Sequence, residues 1–126
     1  MVEVYESFRF LYSDLFRIRC SETLGHLSEP GSALNTLCYM LWDTSPLGFL
    51  VQERPLPIRK ALFKVLAEAL DLPHRACIES ALHGLGELHC LYPDEVQSII
   101  EEKLPAFAHD EALKAYALNA RSGYIQ

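Results

Sequence analysis

The chain has 126 residues, half of them hydrophobic, which is enough for one domain whose core removes roughly two thirds of the unfolded surface from water. Its formal net charge is -6, and its 11 Lys and Arg are scattered instead of gathered into a stripe, which argues against nucleic acid as partner and for a basic protein surface. The cysteines, Cys20, Cys38, Cys77 and Cys90, form no CxxC pair and no secreted spacing, so all four are expected as small reduced core residues, within runs read as helices, of a cytoplasmic protein.

The opening MVEVYESFRF lacks the basic start, apolar centre and small-residue cleavage site of a signal peptide, and no apolar run approaches the length of a membrane span. Val4, Phe8, Leu11, Leu15 and Ile18 fall at alternating steps of four and three and predict one face of a helix over residues 3–21. Tyr5, Tyr12 and Phe16 make a second stripe beside it. This helix is read as a cap that buries both stripes, and the sharper alternative is that its aromatic side meets a partner or a second copy as an apolar anchor.

Glu29-Pro30-Gly31-Ser32 breaks the chain and offers Ser32 as a helix cap. The second helix runs to about Trp42, a further anchor residue, with Leu34, Leu37, Cys38 and Leu41 inward. Asp43-Thr44-Ser45-Pro46 ends it, and an apolar connection follows that is expected to pack down. Pro57-Ile58 starts a third, central helix, whose stripes are Ile58, Leu62, Val65, Ala69 and Phe63, Leu66, Leu70, with Lys60, Lys64, Glu68 and Asp71 as its wet edge.

A fourth helix spans residues 74–90. Ile78, Ala81, Leu82, Leu85 and Leu88 face inward, and Ala76, Ser80 and Gly84 stack at steps of four, which lets a neighbouring helix approach closely; Gly84 and Gly86 suggest either tight packing or an early end near Gly86. Tyr92-Pro93-Asp94-Glu95 starts a fifth helix, with proline at the first position and carboxylates at the positive end of the dipole. It is expected to run to Leu104 and to stop at Pro105. Asp110 caps the last helix, where Leu113, Tyr116, Ala117 and Ala120 form the apolar stripe.

Ala81-Leu82 returns as Ala117-Leu118, 36 positions on, with one short amphipathic segment between the copies. RACIESALHGLGEL, DEVQSIIEEKL and DEALKAYALNA together resemble HEAT-type and armadillo-like helical repeats, closely over residues 75–123 and loosely over 32–71. The resemblance implies an all-α fold, a short superhelix of about six helices in one domain over 1–126. Within it, 1–22 is the capping helix, 32–71 an irregular first pair, 74–104 the best-matching repeat and 110–122 a terminal half-repeat. It also implies a concave face lined by second helices, which places Asp94, Gln97, Ser98, Glu101 and Glu102 on or near that face, beside Lys60, Lys64 and Glu68.

The functional expectation is therefore a non-catalytic interaction or adaptor module without a cofactor or metal. Asp94, Gln97, Glu101 and Glu102 would meet a basic protein segment, with Tyr5, Tyr12, Phe16 and Trp42 as apolar anchors. Two alternatives stand beside it. Glu79, His83 and Glu87 line one helix face at steps of four and could converge on a metal, as in helical-repeat hydroxylases, although the chain has no His-Glu dipeptide and offers Lys114, Leu118 and Asn119 in the second copy. A homodimer through the aromatic first helix or the open last helix is the other. His74 and Cys77, three apart, lack a third orienting group for nucleophilic catalysis and read as a surface histidine beside a core thiol.

Overall fold

The first helix changes geometry part-way. In the computed structural model, which describes residues 2–27, 29, 31–44 and 55–125, it consists of α1 (Val2–Phe10), a π-helical segment (Leu11–Phe16) and a single α-helical turn, α2 (Arg17–Arg19). A π turn closes on i→i+5 bonds and takes up more residues than an α turn, so every side chain after it is rotated relative to a regular helix. The expected stripe is displaced accordingly. Tyr12 and Phe16 become the inward residues at 1% exposure each, Phe8, Leu11 and Leu15 are only partly buried, and Ile18 is 69% exposed. The side chains of Val4 and Tyr5 lie outside the described residues.

A short 3-10 turn (Gly25–Leu27) precedes α3 (Ala33–Tyr39), and Ser32 caps α3 as its sequence predicts, accepting from the amide of Asn35 at 3.2 Å. The second helix does not run through to Trp42 in one piece: it breaks at Met40 and resumes as α4 (Leu41–Thr44). Leu37, expected inward, is exposed, and the buried neighbour is Asn35. Its amide nitrogen donates to the Ser21 carbonyl at 2.6 Å and to Thr23 Oγ1 at 3.1 Å, tying the segment after the first helix to α3. The apolar connection over 45–54 lies outside the described residues.

The remaining helices are α5 (Leu56–Leu70), α6 (Arg75–Leu88), α7 (Pro93–Phe107) and α8 (Glu111–Arg121). No strand occurs among the described residues, and no helix there is long and apolar enough to cross a membrane. α6 does not stop near Gly86. α7 continues through Pro105, which sits in the last turn where only one ladder bond is forfeited, and this carries Phe107 into the core. α8 ends on Gly123, whose φ of 79° is left-handed, with Gly123 donating to the Ala120 carbonyl and Tyr124 to Asn119, each at 2.9 Å.

The central place expected for α5 belongs to α6. Every residue from Ala76 to Gly86 is buried, because α6 packs against α3, α4, α5, α7, α8 and the π segment. Arg59, near the start of α5, pairs with Glu95 near the start of α7 at 3.6 Å, while Asp71 at the end of α5 accepts from Lys103 late in α7 at 2.8 Å. Arg75 at the start of α6 donates to Asp110, the cap of α8, at 2.6 Å. Thus α5 and α7 run side by side in the same direction, and so do α6 and α8. The last two pairs join residues 32 and 35 positions apart, close to the period of the Ala-Leu phrase.

Candidate functional site

Pro93 and the carboxylates of Asp94 and Glu95 start α7 for the reasons its sequence suggests, and Val96, Ile100 and Phe107 turn it inward. Its outer side carries Asp94, Glu95, Gln97, Ser98, Glu101 and Glu102, all exposed. The proposed polar contact residues Asp94, Gln97, Glu101 and Glu102 thus share one accessible helix face. The face is partly offset by its neighbours. Arg121 of α8 reaches Glu101 at 3.5 Å, and Arg59 reaches Glu95 while lying 4.8 Å over the Tyr92 ring. The Arg121–Glu101 pair is open to solvent, so it contributes at most about 1 kcal/mol and can exchange for cations of another molecule.

Three of the four proposed apolar anchors are core residues instead: Tyr12, Phe16 and Trp42 are 1%, 1% and 0% exposed. The π-helical segment turns Tyr12 and Phe16 inward, and the small-residue stripe on α6 admits Trp42. A Cβ on Gly84 would stand 2.7 Å from Trp42 Cδ1, so the indole occupies the space that glycine leaves. Trp42 Nε1 donates to Tyr12 Oη at 2.8 Å, Tyr12 is 2.9 Å from Ser80 Oγ, and Ser80 donates to the Cys38 carbonyl at 2.5 Å. The donor sequence runs from Trp42 through Tyr12 and Ser80, which leaves no buried polar atom of these three side chains unsatisfied. Burial, above all, holds the Tyr12 hydroxyl well above its ordinary range. Tyr5 cannot be placed, because its side chain lies outside the described residues.

Compared with protein-family models, with curated proteins and with solved structures, the chain matches none.

The row Glu79, His83 and Glu87 does lie on one face of α6, but its members turn to different partners. Glu79 Oε1 accepts from the Gly25 amide at 2.8 Å, and Oε2 accepts from the His26 amide at 2.9 Å and from His26 Nδ1. His83 Nδ1 meets Tyr116 Oη at 3.0 Å, and its Nε2 is 3.7 Å from Glu87. His26 in turn stacks on the Tyr116 ring with centroids 4.2 Å apart. The row is thus a buried polar seam joining the 3-10 turn, α6 and α8, and among the described residues no three His, Cys, Asp or Glu side chains are placed to hold a metal.

His74, read as a surface residue, is buried and serves as the cap of α6. Its Nδ1 accepts from the Cys77 amide at 3.4 Å, so its Nε2 carries the proton that faces the Cys20 carbonyl at 3.0 Å. Both ring nitrogens are engaged, and the Cys77 thiol donates to the Tyr12 carbonyl at 3.8 Å. This geometry does not form a nucleophile and base. Cys20, Cys38 and Cys77 are buried, as expected, while Cys90 is exposed.

The Arg75–Asp110 pair was not foreseen. Burial acts to raise the Asp110 carboxyl, but the Arg75 guanidinium and the Leu113 amide outweigh it and hold the group below the ordinary carboxylate value. The signal was available in the sequence only as spacing: residues 75 and 110 stand 35 positions apart, close to the spacing of the Ala-Leu phrase.

Proposed function

We propose that the chain is a non-catalytic protein interaction module of the cytoplasm, built as a HEAT-like repeat, that presents the outer face of α7 to a basic segment of another protein. The observation that carries this reading is the exposure of Asp94, Gln97, Glu101 and Glu102 along one helix whose opposite side is locked into the core. The parallel pairing of α5 with α7 and of α6 with α8 supports the repeat architecture, because stacked helix hairpins place equivalent helices side by side. The engagement of Glu79 by two backbone amides, and of His83 by Tyr116, favours a structural role for the row that would otherwise suggest metal chemistry.

An acidic face of this kind speeds encounter with a basic partner and sets its orientation more than it supplies affinity. The test is capture from native lysate at moderate salt with wild type and with an Asp94→Lys, Glu101→Lys variant of unchanged helical content. A partner held by wild type and lost by the variant supports the reading, and its binding should weaken steeply with added salt. A partner held equally by both overturns it.

A further inference from the structure

A cavity of about 310 Å³ lies where the turn between α5 and α6 meets the turn between α7 and α8. Its floor is apolar, made by Leu70, Ile78, Phe107 and Leu113. Its rim is charged and predominantly negative: Glu22, Asp71 and Asp110 reach it, with Arg75 and His109. The wider field has the same sign. Arg75 has Asp110, Glu29 and Glu22 as acidic neighbours, and Lys103 has Asp71, Glu102 and Glu68, so each of these two cations faces three carboxylates. Both cations are held in place, Arg75 on Asp110 at 2.6 Å and Lys103 on Asp71 at 2.8 Å.

We infer that this cavity receives one large apolar side chain of a peptide segment, with lysines or arginines on either side of it lying over the acidic rim. The inference rests on the module reading above and moves the anchoring point from the α7 face to the junction of the turns. Three features select this occupant. The volume is at the lower end of small-ligand sites, which suits a side chain and its immediate flanks more than a cofactor. The floor has one aromatic and three aliphatic residues, which is complementary to an apolar group and lacks the aromatic cage that an isolated ammonium prefers. The carboxylates are spread around and beyond the mouth, where a chain bearing several cations can meet them and a single amine cannot. The apolar anchor then supplies affinity, and the rim supplies orientation and rate.

The experiment is fluorescence anisotropy with a fluorescein-labelled peptide carrying one phenylalanine flanked on each side by two lysines, and with its Phe→Ala version. Ala106 is exposed at the cavity mouth and Glu22 is exposed on the rim, so Ala106→Trp and Glu22→Lys alter the site with little demand on the core; far-UV circular dichroism checks that both fold. Each variant, and the Phe→Ala peptide, should weaken binding by about tenfold or more, and Asp94→Lys, Glu101→Lys, which leaves the cavity intact, should weaken it by a smaller factor. Backbone amide shifts of wild type on titration should cluster at Leu70, Ile78 and Leu113. Unchanged binding in Ala106→Trp, or for the Phe→Ala peptide, overturns the cavity, as does failure of wild type to bind. Loss confined to the Asp94→Lys, Glu101→Lys variant overturns the cavity while leaving the α7 face standing.

Discussion

Glu79 holds His26 twice, through the backbone amide at 2.9 Å and through ring Nδ1, and the same carboxylate takes the Gly25 amide at 2.8 Å. The side chain is 1% exposed, so these donors stand in for the water it has lost. Replacing it removes the partner of buried amides, which costs more than an ordinary hydrogen bond contributes. Glu79→Gln turns one oxygen into a donor facing other donors and should destabilise by about 2 to 3 kcal/mol in urea unfolding. His26→Ala keeps both backbone bonds and should cost about 1 kcal/mol, with clear coupling to Glu79 in a double-mutant cycle. Equal, small and additive effects would show that the seam is not holding the turn.

Gly84 and Gly86, two residues apart on the same buried helix, should respond oppositely to alanine. Alanine has an intrinsic helix advantage of roughly 1 kcal/mol over glycine. At Gly84 the new Cβ would stand 2.7 Å from Trp42 Cδ1 and 3.1 Å from Leu66 Cδ2, and a ring fixed by its bond to Tyr12 cannot retreat. Overpacking should prevail, and Gly84→Ala should lose about 1 to 3 kcal/mol. At Gly86 the group encountered is the Ile125 side chain, which belongs to no helix. That contact can yield, so Gly86→Ala should be neutral or stabilising by up to about 1 kcal/mol. Thermal unfolding of the two variants decides, and a stabilised Gly84→Ala would mean that Trp42 does not fill this space.

Much of this architecture is legible as apolar periodicity and caps. Ser32, Pro93 and Asp110 start helices where their chemistry predicts, and the inward stripe of α8 is the one its spacing gives. The phase of the first helix is not legible, because one π-helical segment rotates everything after it and leaves no mark on steps of three and four. That rotation puts Tyr12 and Phe16 inside. The small residues at 76, 80 and 84 correctly announce a close approach, but nothing local says that the approaching group is Trp42, which arrives from a separate helix. The cavity is hidden for a related reason: its two turns are far apart in the chain, Arg75 and Asp110 standing 35 positions from each other, and only the packing of α6 beside α8 brings them together.

The thiols should fall into two reactivity classes. Burial, aided by Cys77, pushes the Cys20 thiol up to about 11, and Cys77 together with burial holds Cys38 far above the ordinary thiol range. Reactivity follows the thiolate fraction and access. A chromogenic disulfide reagent at about pH 8 should therefore modify Cys90 in the native protein at least about a hundredfold faster than the others, and all 4 cysteines after denaturation. Cys38 or Cys77 reacting at the fast native rate would mean that the contact between α3 and α6 opens readily.

Asp110 gives the fold a defined acid sensitivity. Its folded-state carboxyl is lower than in the unfolded chain because Arg75 and the Leu113 amide together outweigh burial. A lowered carboxyl contributes stability that is fully present above the unfolded value, near pH 4, and is lost as pH falls through the folded value. The Arg75 guanidinium, raised by its bond to Asp110, stays protonated throughout that window. Asp110→Asn retains a good cap but removes the charge, so it should cost about 1 kcal/mol at about pH 6, and the gap to wild type should close toward about pH 3. Asp110→Ala loses the cap as well and should keep a deficit of about 1 kcal/mol even at the acid end. Urea midpoints of the three proteins at both pH values test this: a gap between wild type and Asp110→Asn that stays constant with pH would show that the ion pair between α6 and α8 contributes nothing.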